Sequence, residues 1–119
     1  MDFSMEKIDV GGIPVLQLTG TLMDADVMRF SREVRRITQA SSSGIGIDVS
    51  GLEFMDSHAL GLLVFHHSSL REFNRSLVVI SSNPNPRAYI TGLFETTGLN
   101  KVLIIVNKKE DVAGATRSS

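Results

Sequence analysis

Cysteine is absent from the 119-residue chain. Without a thiol there is no disulfide framework, no thiol nucleophile and no thiolate metal site, and a reducing compartment is the natural fit. Tryptophan is absent too, and aromatic residues reach only 6%, too few to interleave with bases on a nucleic-acid surface. Positive charge is not in surplus: the formal net charge is -1, unlike the basic footprint of a general nucleic-acid binder. No apolar run approaches the ~18 residues of a bilayer span. The first seven residues carry acids early and have no basic start leading into an apolar segment, so they do not read as a secretory signal. The expected location is the cytoplasm.

What is present looks globular. Hydrophobic residues make up 42% and charged residues 21%, near the average for packed domains. The length suits one domain, 1–119, with its core over about 5–110 and a flexible tail over 114–119.

Residues 3–10 and 13–19 read as two strands joined by a turn at Gly11-Gly12. Gly20 closes this hairpin, and 21–26 supply turn and cap residues. Val27, Phe30, Val34 and Ile37 then recur at helical spacing over about 27–39. Arg29, Arg32 and Arg36 fall on the opposite face, as a solvated surface or as a contact for an acidic protein or membrane. The polar stretch 40–44 leads into a short apolar run, Ile45 to Val49, bounded by glycines and read as a buried strand.

After a turn-rich connector the period changes to helical at Asp56-Ser57, placing Ser57 at a helix N-terminus beyond the carboxyl end of a strand. That helix is expected to run to about Phe73 and to stop at Asn74-Arg75-Ser76. Ala59, Leu63, His66, Leu70 and Phe73 share one face. Phe65 points away, either packed on a second side or forming part of an exposed apolar patch.

Leu77 to Ile80 is a further buried strand. Asn85 and Pro86 open a short helix ending near Gly92, and Val102 to Val106 is the last strand. A helical turn over about 108–113 follows, and 117–119 should fray. Helices alternating with wholly apolar strands argue for an α/β layer with parallel inner strands.

Several chemistries can be weighed on the residues alone. Strand, turn, Ser57 and helix suggest a nucleophile elbow, but Met55 is too large two places before the serine. The candidate bases His58, His66 and His67 also share the serine's own helix, whereas a hydrolase brings its histidine from a separate loop. Adjacent His66 and His67 diverge by about 100° and have no metal-ligand spacing, so buried or half-buried helix histidines are the simpler reading. Gly44-Ile45-Gly46 lacks the remainder of any phosphate-cradling fingerprint, and close strand packing explains it better. Ser57 itself reads as a structural N-cap or as a modification site. A phosphoryl group there would add a charge of about -1.5 to -2, welcomed by free helix amides and opposed by Asp56.

The segment from Asp48 to Gly61, Asp-Val-Ser-Gly-Leu-Glu-Phe-Met-Asp-Ser-His-Ala-Leu-Gly, closely resembles the signature of STAS domains. It is most similar to the stand-alone anti-sigma factor antagonists of bacteria. Leu18-Thr19-Gly20-Thr21-Leu22, the strand 77–80 and the stretch Leu93-Phe94-Glu95-Thr96-Thr97-Gly98-Leu99 extend the resemblance over roughly 5–110. It implies an α/β STAS-like fold: a mixed sheet of about four to five strands, an N-terminal hairpin, parallel inner strands and packed helices.

It further implies a protein-binding regulator and not an enzyme, with no cofactor and no metal. The implied partners are an anti-sigma factor with serine kinase activity, which phosphorylates Ser57 and so weakens binding, and a phosphatase that restores it. Direct nucleic-acid binding is not implied. Asp24, Asp56, Ser57, His58, Gly61 and Phe65 are the implied partner surface. The chain departs from the pattern in having Ala59 for the usual glycine and His58 for the usual hydroxyl residue. The acid expected after Gly-x-Leu is replaced by Met23, with Asp24 one place later. A rival reading is a STAS module that binds a small ligand, nucleotide or lipid, or that serves a transport or sensory assembly.

Overall fold

A computed structural model describes residues 2–85 and 88–117. The chain opens with strands β1 (Ser4–Val10) and β2 (Ile13–Leu22), paired antiparallel with Val10 opposite Ile13. Gly11 and Gly12 both have positive φ, at 61° and 86°. A two-residue hairpin turn of the primed type requires that conformation, and glycine adopts it without steric cost.

β2 does not stop at Gly20 as expected. Its register against the following parallel strand shifts between Gln17 and Thr19 and again between Gly20 and Thr21, each time with the extra residue on the partner strand, and β2 continues to Leu22. Helix α1 (Ala25–Gln39) then buries Val27, Phe30, Val34 and Ile37, the apolar stripe visible in the sequence. Arg29, Arg32 and Arg36 face solvent.

Strand β3 (Ile45–Met55) is longer than its apolar run. The supposed connector over 50–55 is strand, because the lengthened β2 offers it a partner: Thr19 faces Gly51, Thr21 faces Phe54 and Leu22 faces Met55. Helix α2 (Ser57–Arg71) follows directly. It ends two residues earlier than expected, so Phe73 lies past the helix and is 73% exposed, not on the buried face. Asn74, at φ 56°, turns the chain.

Strand β4 (Leu77–Ile80) is buried throughout. Helix α3 (Tyr89–Thr96) starts and finishes later than the sequence suggested, with Ala88 as its N-cap residue in place of Asn85; Pro86 lies outside the described residues. A turn of 3-10 helix leads to β5 (Ile104–Val106). The terminal segment is helical as α4 (Val112–Arg117); Ser118 and Ser119 lie outside the described residues.

The sheet order is β1-β2-β3-β4-β5, with only the first pair antiparallel. The larger core joins one sheet face to α1, α2 and α3 through Phe30, Val34, Leu63, Leu70, Ile90 and Phe94. A smaller core joins Val15, Val78 and Ile80 to Val112 of α4. Gly46 is the close approach that the sequence suggested: a Cβ there would lie 2.9 Å from Val15 and 3.0 Å from Val112. This sandwich fixes the carboxyl ends of β2 and β3 side by side, where α1 and α2 begin.

Candidate functional site

Asp56, between β3 and α2, is the organising residue. Its extended backbone makes it the N-cap, and its Oδ1 accepts the Ala59 amide at 2.8 Å. The Asp56 amide donates to the Leu22 carbonyl at 3.1 Å. Its Oδ2 accepts the Asp24 amide at 3.3 Å. One residue thus caps α2 and fastens the β2–α1 loop to it.

Because Asp56 does the capping, Ser57 is the first helical residue and not the cap. Its side chain is exposed. His58 beside it is exposed as well, and Gly61 lies one turn on, on the same helix face. A Cβ added at Gly61 would meet nothing within 4 Å. Phe65 continues the stripe a turn further and is 55% exposed. That settles its alternatives: it belongs to a surface patch. Asp24, also exposed, is held at φ 55° and ψ -128°. The Asp26 amide donates to the Met23 carbonyl at 3.2 Å, so Asp24 occupies the glycine-favouring position of a type II′ turn.

The structure therefore brings Asp24, Asp56, Ser57 and His58 to one end of the sheet. Gly61 and Phe65 trail along α2, Phe65 about 12 Å from Ser57 along the axis.

Three exposed apolar residues at this end were not singled out from the sequence as surface. Met23 follows Leu22, and Phe54 precedes Met55, the register partner of Leu22. Tyr89 stacks on Phe54 with ring centroids 5.2 Å apart, and its hydroxyl donates to the Met55 carbonyl at 3.2 Å. Following the strand past residue 50 would have found Phe54. Nothing in the sequence points to Tyr89.

The remaining histidines of α2 serve the interior. His66 Nε2 lies 2.8 Å from Ser31 Oγ, a buried link between α1 and α2. Burial, and then the Arg35 charge, hold its pKa below the ordinary value. Burial and then Arg71 do the same to His67. His67 Nδ1 is buried with no hydrogen-bond partner among the described residues. His66 lies nine residues beyond Ser57, about 13 Å along the helix, so it is not positioned as a base for that hydroxyl. No group of three or more His, Asp or Glu side chains that could hold a metal occurs among the described residues.

Comparison with known proteins adds the family. The family model described as the STAS domain matches residues 4–113. The chain belongs to the STAS domain family. This STAS domain is 23% identical over 119 residues, all of its length and 97% of the relative's, to BtrV of Bordetella bronchiseptica, which is named as an anti-sigma factor antagonist. In fold it resembles the crystal structure of an anti-sigma factor antagonist from Mycobacterium paratuberculosis. That match has a TM-score of 0.78 and 22% identity, covering 98% of this chain and 95% of the other. It also resembles the phosphorylated form of the Bacillus cell fate determinant SpoIIAA, with a TM-score of 0.64, 23% identity and coverage of 94% and 97%. Within the described residues of this STAS domain, no helix is long and apolar enough to cross a membrane.

Proposed function

We propose that this STAS domain is an anti-sigma factor antagonist that binds its partner through the Ser57 end of the sheet and is switched off by phosphorylation of Ser57. One observation carries the reading. The Ser57 hydroxyl is exposed at the first position of α2, while Asp56 performs the capping that would otherwise engage it. A phosphoryl group can be attached there without displacing a core contact. The name of the Bordetella relative and the existence of a phosphorylated form of SpoIIAA support the same reading.

The chemistry assigns this chain the part of substrate. Ser57 Oγ attacks the γ-phosphorus of ATP and ADP departs, with the anti-sigma partner acting as serine kinase and supplying base and metal. The product gains a charge of about -1.5 to -2 beside the Asp56 carboxylate and close to Asp24. The α2 amides offset part of that repulsion, but the face presented to the partner becomes more strongly negative. Asp24, Asp56, Ser57, His58 and Gly61 form the contact, with Phe65 at its distal edge. A protein phosphatase hydrolyses the ester and restores binding, and the cycle is cytoplasmic.

The test is incubation with the cognate anti-sigma factor and ATP, followed by mapping of the phosphate and a pull-down with Ser57→Ala and Ser57→Asp. Phosphate on Ser57, binding by Ser57→Ala and loss of binding by Ser57→Asp are expected. Phosphate on another residue, or undiminished binding by Ser57→Asp, defeats the proposal.

A further inference from the structure

A groove of about 550 Å³ lies between the C-terminal halves of α1 and α2, away from Ser57. Phe65, Leu70 and Phe73 form its apolar side. Phe65 and Phe73 are 55% and 73% exposed, and the Phe65 ring meets the His66 ring edge-on at 5.3 Å. Two exposed phenylalanines flanking one concavity are a costly arrangement for a surface with nothing to cover.

The polar side carries one sign of charge. Arg35 and Arg75 line the groove, and among the described residues no carboxylate does. Arg75 is a fixed wall: its guanidinium donates to the carbonyls of Thr38 at 2.8 Å, Ser41 at 2.7 Å and Ser43 at 2.8 Å. Those neutral acceptors leave its charge uncancelled. Arg35 is exposed, and its charge is felt at the His66 ring on the facing helix. Thr38, Ser41 and Ser69 add hydroxyls around the two cations.

We propose that this groove is a binding site for a small amphipathic carboxylate, its aryl or alkyl part against Phe65 and Phe73 and its anionic head at Arg35. The volume falls in the range of about 300–1,000 Å³ typical of small-molecule sites, and an apolar lining with a few convergent polar groups is their usual composition. A guanidinium suits a carboxylate because its planar fork matches two oxygens at once. The site shares only Phe65 with the edge of the Ser57 surface and does not depend on the function proposed above.

Two matched probe pairs test it on the full chain: 3-phenylpropionate against 3-phenylpropanamide, and octanoate against octanamide. Binding is followed by amide and ring chemical shifts. A saturable shift centred on Phe65, His66 and Phe73 is expected for each acid, with the isosteric amide at least about fivefold weaker. Arg35→Gln, an exposed change that leaves the core alone, should remove that preference for the acid, while Ser57→Ala should leave it intact. Equal binding of acid and amide, shifts centred elsewhere, or an acid preference that survives Arg35→Gln overturns the proposal. Indifference to all four probes overturns it as well and leaves the groove as a protein-docking face.

Discussion

The Asp56 carboxylate accepts the backbone amide of Asp24 across 32 residues of sequence, at 3.3 Å, while its other oxygen caps α2 at Ala59. Removing it should therefore cost more than an ordinary cap. Asp56→Ala is expected to lower stability by about 1–2 kcal/mol, the upper part of the range for lost N-caps. Asp56→Asn keeps an acceptor for one amide only and turns an NH2 donor toward the other, so it should lose roughly half as much as alanine. Urea denaturation of the three proteins decides it. Equal losses for Ala and Asn would mean that charge, and not the acceptor geometry, holds the two loops together.

Asp24 sits where a type II′ turn favours glycine, with φ 55° and ψ -128°. An L-residue held there carries backbone strain of the order of 1 kcal/mol. Asp24→Gly should be as stable as the parent or more so by up to ~1 kcal/mol, although glycine adds entropy to the unfolded chain. Asp24→Val, branched at Cβ, should be less stable by about 1–2 kcal/mol. Thermal melts ranking glycine below valine would refute the assignment of strain to this turn.

Gly61 lies inside α2 with open space where a Cβ would be. Gly61→Ala should raise stability by about 0.5–1 kcal/mol, because alanine loses less backbone entropy in a helix. If the partner packs on the Ser57–Gly61 face as proposed, the same methyl should weaken the complex while the isolated domain becomes more stable. Calorimetric melting and a binding titration on one variant separate the two effects. A gain in both would remove Gly61 from the contact.

Local chemistry made much of this architecture readable from sequence. The Gly11-Gly12 hairpin, the α1 stripe from Val27 to Ile37 and the buried runs at 45–49 and 77–80 each express a pattern within a few residues. Local pattern is silent where a distant partner decides the outcome. Residues 50–55 look like a loop because Ser50 and Gly51 break the apolar run, yet they pair with a β2 that runs on past Gly20, and β3 takes up the register shifts with extra residues of its own. Asp56 and Ser57 are both good caps by composition. Only the bonds to Leu22, Asp24 and Ala59 assign the role to Asp56 and leave the serine exposed. The contact of Ser31 with His66, and the stacking of Tyr89 on Phe54, join residues about 35 apart and have no signature in either segment.

The buried histidines set a pH dependence. His66 and His67 have pKa values below the ordinary one, in each case because burial disfavours the charged form and a nearby arginine repels it. The unfolded chain titrates them near the free value of about 6.5, so in the window below that value it binds more protons than the folded protein. Stability is then full above about pH 6.5 and falls as the pH drops through it, until the folded-state values are reached. The urea midpoint should be lower at pH 5.5 than at pH 7.5. Ring-proton titrations of the folded domain should place both histidines below the free value of about 6.5. A midpoint that rises on acidification, or a His66 that titrates above about 6.5, would mean that the ring facing Ser31 is held as the cation.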